Sequence, residues 1–169
     1  MATTYKDKLV SYIGLKDKVT VSDPCYEPDI WCAKNLENVF PGSYAVFQKV
    51  ASDPRWGSWI CELYAKHVFY LDIEIPDGKD KNVKPERLCV DSGEMGIFDY
   101  DLYRKIHNGE DTEWQDYACR FNNYGKEYFV SRSGFGDGDY PLFVAKNNNG
   151  NIVAMKIVFC SDQEENYEI

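Results

Sequence analysis

Leu142-Phe143-Val144-Ala145-Lys146-Asn147-Asn148-Asn149-Gly150-Asn151-Ile152-Val153-Ala154-Met155-Lys156-Ile157-Val158-Phe159 consists of two apolar, partly β-branched runs on either side of an Asn/Gly run. Asn and Gly tolerate positive φ, so the stretch predicts two antiparallel strands closed by a hairpin turn. It is the strongest such signal in the chain. Runs of the same kind recur on its N-terminal side. Phe40-Pro41-Gly42 is a turn that launches Ser43–Val50, rich in β-branched and aromatic residues. Trp59–Ala65 and Val68–Ile75 follow. The second alternates, with Phe69, Leu71, Ile73 and Ile75 on one side and Tyr70, Asp72 and Glu74 on the other. A period of two marks a half-buried strand. Leu88–Asp91 and Tyr128–Ser131 are further short strands, and Lys18–Ser22 is one ended by Asp23-Pro24. Tyr26–Asn38 reads as irregular, with Trp31 and Cys32 as inward anchors.

One stretch has helical spacing. Leu102 and Ile106 lie four apart with Tyr103 beside them, Asp99 is placed to cap, and Asn108-Gly109 is a stop. Glu113–Phe121 is a second helix candidate. The whole predicts a mainly β fold of seven to nine strands, an antiparallel sandwich or open barrel with a short helical insertion near residues 99–121. The 169 residues fit a single domain spanning 1–169, with 1–16 and 161–169 peripheral.

Composition bounds the function. The chain is 44% hydrophobic and 15% aromatic, enough for a self-sufficient core. Its net charge of −9 repels phosphates, which argues against nucleic acid and anionic membrane surfaces as partners. Nothing approaches the ~20 apolar residues of a membrane-spanning helix. The six cysteines include no CxxC pair, and Met1–Lys8 has no apolar signal-peptide core. The expectation is therefore a cytoplasmic protein with reduced thiols, several of them core residues.

Three Gly- and Asp-rich segments break the strands: Ser22-Asp23-Pro24-Cys25-Tyr26, Asp91-Ser92-Gly93-Glu94-Met95-Gly96, and Gly134-Phe135-Gly136-Asp137-Gly138-Asp139-Tyr140-Pro141. Such loops are where a β scaffold carries a site, and also where it must turn. Asp23, Tyr26, Asp91, Ser92, Gly93, Phe135, Asp137 and Tyr140 are the candidate ligand-binding residues. Asp91, Asp137 and Asp139 are hard oxygen donors, so calcium or another divalent cation is the alternative to a domain without a cofactor. Two carboxylates in Gly136-Asp137-Gly138-Asp139 fall short of an EF-hand, and glycine turn chemistry alone explains them. His67 and His107 lie at no zinc spacing from a cysteine. Cys25 and Ser92 are the candidate nucleophiles, but no Gly-x-Ser-x-Gly elbow is present, and for Cys25 a buried or half-buried thiol is the plainer reading. Trp31, Trp56, Trp59 and Trp114 lie in or near irregular segments. They read either as a recognition surface or as plugs at the open ends of the fold.

Taken together, the Asp23-Pro24-Cys25-Tyr26, Asp91-Ser92-Gly93-x-Met95-Gly96-Ile97-Phe98-Asp99 and Gly136-Asp137-Gly138-x-Tyr140-Pro141 segments resemble an uncharacterised family of small bacterial and phage proteins. The resemblance spans most of residues 18–160 and implies a β-rich domain of that origin, with no established activity, cofactor or catalytic residue. The expected function is a non-enzymatic binding domain for a protein or small-molecule ligand, its three loops gathered on one rim. Phage anti-defence or bacterial immunity is one setting for it. The alternative is a metal-dependent or cysteine/serine hydrolase using the same loops. A third reading buries the aromatics against another chain.

Overall fold

A computed structural model describes residues 2–108 and 126–160. The strands are β1 (Thr4–Leu15), β2 (Val19–Ser22), β3 (Lys34–Leu36), β4 (Gly42–Asp53), β5 (Gly57–His67), β6 (Glu86–Val90) and β7 (Glu94–Asp99). The helix α1 (Tyr100–His107) follows, then β8 (Tyr128–Arg132), β9 (Gly138–Lys146) and β10 (Ile152–Val158). They form a six-stranded sheet, β1-β4-β5-β10-β9-β6, and a four-stranded sheet, β3-β2-β7-β8. Every pairing within the sheets is antiparallel. The two sheets pack as the expected sandwich. Val21, Met95 and Ile97 of the smaller sheet meet Leu63, Met155 and Ile157 of the larger, all fully buried.

The hairpin at 147–151 forms as predicted. Gly150 takes φ 82°, and Asn147 Oδ1 accepts from the backbone N–H groups of Asn149 and Asn151, both at 3.0 Å. The helix forms over 100–107 with Asp99 as its N-cap, accepting from the N–H groups of Asp101 and Leu102. Tyr103 and Ile106 press onto Phe98 and Val130, on the face of the smaller sheet away from the core. That second covered face explains β7. All six of its residues are buried, so it shows no alternation, and its one glycine, Gly96, helps to hide it. Gly96 is needed there because a Cβ would stand 2.3 Å from the Phe98 ring.

Four expectations are corrected or fall elsewhere. Val68–Ile75 is not a strand: β5 ends at His67, and the chain turns, with Tyr70 N–H donating to the His67 carbonyl at 2.8 Å. The His67 ring stabilises this turn by accepting the Phe69 N–H at Nδ1, 3.1 Å. Phe69 is left 81% exposed, because alternation without a partner strand does not make a sheet. Trp31 points outward at 80% exposure, while Cys32 is buried as expected. The N-terminal residues form the twelve-residue edge strand β1, which sends Ile13 and Leu15 into the core while Lys6, Asp7 and Lys8 guard its outer part with charge. The second helix candidate, 113–121, and the tail 161–169 lie outside the described residues.

Candidate functional site

The three loops meet at one pole of the sandwich. Asp23, at the end of β2, is fully buried. Its Oδ2 accepts the backbone N–H groups of Asp91 and Ser92, both at 2.8 Å. Its Oδ1 accepts the Ser92 hydroxyl and the Cys25 N–H, again at 2.8 Å each. These donors occupy the capacity of a carboxylate, whose two oxygens offer about four lone-pair sites. Asp23 is therefore the fastener between the first and second loops, and its carboxylate is not a ligand-facing group. Ser92 is engaged by the same contact, since its hydroxyl proton points at Asp23.

The second and third loops join through the backbone. Ser133 N–H donates to the Gly93 carbonyl at 3.1 Å, and a Cβ on Gly93 would reach Gly136 Cα at 4.0 Å. Within the third loop, the Ser133 hydroxyl donates to the Gly136 carbonyl at 2.7 Å. The Tyr140 hydroxyl is shared by the carbonyls of Gly136, at 2.7 Å, and Ser133, at 3.1 Å. The Tyr140 ring is buried edge-on against Phe159. Tyr140, expected to meet ligand, instead props the loop from below.

Helix α1 braces the first loop. The Tyr103 hydroxyl lies at hydrogen-bond distance from Ser22 Oγ (3.2 Å) and from the carbonyls of Asp23 (3.1 Å) and Tyr26. The His107 ring lies against Tyr103, with its centroid 4.5 Å away, and bonds the Pro24 backbone. Its Nε2 is buried with no hydrogen-bond partner among the described residues, and burial lowers its pKa.

What this framework leaves at the surface is narrower than the expected set. Asp91 is exposed, and its carboxylate accepts from the Tyr26 hydroxyl. Burial, reinforced by Asp91, pushes the Tyr26 pKa up. Phe135 is 73% exposed and tilts over Trp59, ring centroids 5.5 Å apart. Asp137 is exposed on the same loop, and Asp139 is exposed at the start of β9. Asp139 stands opposite Cys89 in the β6–β9 register, and burial together with Asp139 pushes that thiol up to about 12. Among the described residues, no group of three or more His, Cys, Asp or Glu side chains could hold a metal ion, so Asp91, Asp137 and Asp139 do not form one. Cys25 is exposed rather than buried. Trp59 is one of several aromatics near irregular segments of the sequence, and no local pattern there pairs it with Phe135.

Glu94 lies outside the expected set. It opens β7 at 3% exposure, and burial, then the Asp23 charge, raises its pKa, with Arg132 acting in the opposite sense. No signal marks it, since a Glu in a Gly-Ser run reads as solvated. No family model, curated protein or solved structure matches this chain.

Proposed function

We propose that this chain is a binding domain that recognises a protein or small-molecule ligand at the rim formed by loops 23–26, 91–93 and 133–139. One observation supports the reading above the rest. The buried Asp23 carboxylate and the Gly93–Ser133 bond hold three sequence-distant loops together, while Phe135, Asp91, Asp137 and Asp139 remain outward. A rigid base under an exposed aromatic and a few carboxylates is an economical recognition surface, because little conformational freedom is lost on binding. A setting in bacterial immunity or phage anti-defence belongs to the same proposal.

The test is a fragment screen followed by backbone NMR. Hits are expected to shift the amide signals of residues 91–93 and 133–139, and Phe135→Ala is expected to remove those shifts. The hairpin at 147–151 is the internal control. It lies at the far end of β9, about 26 Å from Gly138 at the rise of an extended strand. A screen in which no hit moves the rim signals overturns the proposal.

A further inference from the structure

The outer face of the six-stranded sheet carries a second concavity, independent of the rim. After β5 the chain crosses this face and returns as β6. Its segment 76–85 lies over Phe143, and Gly78 (φ 88°) sits so close that a Cβ would come within 3.2 Å of the ring. Between strap and sheet is a cleft of about 390 Å³. Its floor is Phe143, Pro141 and Val158, and Val83 and Pro85 of the strap form an apolar wall. That volume is within the range of small-molecule sites, which combine an apolar lining with a few placed polar groups.

The charge at this cleft opposes the charge of the chain. Glu62 is buried beside it and lies between Lys49 Nζ at 3.3 Å and Lys156 Nζ at 3.6 Å, so this trio keeps one positive charge. Lys79 and Asp77 offset one another at 3.6 Å. Asp80 accepts the Asn82 N–H at 2.9 Å. Lys81 and Arg87 form no ion pair with any described residue. Four cations, Lys49, Lys79, Lys81 and Arg87, thus line the cleft against three carboxylates, with Lys156 beside Glu62 just outside it, in a protein whose net charge is −9. A local surplus of this sign focuses anions into the cleft against the repulsion of the whole.

We propose that the cleft beneath the 76–85 strap binds a small organic anion, its apolar body lying on Phe143 and Val158 and its acidic group meeting Arg87 and Lys81. Arginine suits a carboxylate, sulfonate or phosphate because its planar fork offers paired donors. The proposal does not depend on the rim's being a binding site.

The probe is 8-anilinonaphthalene-1-sulfonate, an apolar ring system with one anionic group, compared with N-phenyl-1-naphthylamine, its uncharged analogue. The sulfonate is expected to bind at one site per chain and more tightly than the neutral dye. Lys81→Gln together with Arg87→Gln, both exposed and away from the core, is expected to weaken it about tenfold, with little effect on the neutral dye. Val83→Glu, which sets a carboxylate in the wall, is expected to weaken it as well. Phe135→Ala should leave both dyes unaffected, which separates this cleft from the rim. Equal affinity for the two dyes, unchanged sulfonate binding in the Lys81/Arg87 variant, or loss of binding on Phe135→Ala would each overturn the proposal.

Discussion

At the residue scale, the conspicuous carboxylates of the loops divide by burial. Asp23 has every acceptor position occupied by donors from its own loop and the next. Asp137 is exposed and carries no such load. Asp23→Asn turns one acceptor into a donor facing N–H groups, leaving buried donors unmatched. The expected cost is about 3 kcal/mol, which for a chain of this length lowers the melting temperature by about 6–12 °C. Asp137→Asn should shift it by less than about 2 °C, as surface substitutions do. Thermal melts followed by circular dichroism compare the two, and equal shifts would mean that the fastening assigned to Asp23 is misplaced. The sequence showed both residues as Asp beside Gly or Pro. Their difference comes from the partner each finds across the fold, and a local pattern holds no record of that.

At the element scale, signals carried within one segment could be read, and signals requiring a partner could not. The 147–151 turn and the Asp99 cap depend on neighbours a few residues away, so their chemistry is local. Val68–Ile75 has the alternation of a strand but no strand beside it, and the His67 ring secures the turn instead. β7 fails in the opposite sense: covered on both faces by the core and by α1, it loses the alternation that would have marked it. The meeting of the loops was expected from the fold class, but the element that braces them was not. Helix α1 reads as a simple insertion until its Tyr103 hydroxyl is seen to span Ser22, Asp23 and Tyr26. Tyr103→Phe keeps the ring on Phe98 and removes only that hydroxyl. The expected loss is about 1–2 kcal/mol of stability, with amide exchange quickened in residues 22–26 rather than in α1 itself. Hydrogen exchange measured by mass spectrometry reads the difference. Faster exchange confined to α1 would show that the hydroxyl serves the helix and not the loop.

At the scale of the whole molecule, holding the loops together places the buried Glu94 and the half-buried His107 under the rim, and they bias stability in opposite directions of pH. His107 has its pKa lowered by burial, so the unfolded chain takes up its proton first as pH falls below about 6.5, and the stability tied to the neutral ring is lost in that window. Glu94 has its pKa raised by burial and by Asp23. The unfolded chain then releases that proton at lower pH than the folded one. The contribution of Glu94 is accordingly fullest below the unfolded value, about 4.3, and is lost as pH climbs through the folded value. As pH rises through that folded value the fold takes on a carboxylate charge that burial and the neighbouring Asp23 both oppose. Glu94→Gln keeps the shape and removes that opposition. Its melting temperature should exceed the parent's at pH 7, and the gain should shrink as the two proteins are compared nearer pH 4, where the parent's Glu94 is protonated. A variant no more stable than the parent at pH 7 would show that attraction to Arg132 outweighs burial and Asp23, reversing the electrostatic balance derived for this pole. A gain that persists unchanged to pH 4 would place its origin in packing rather than charge.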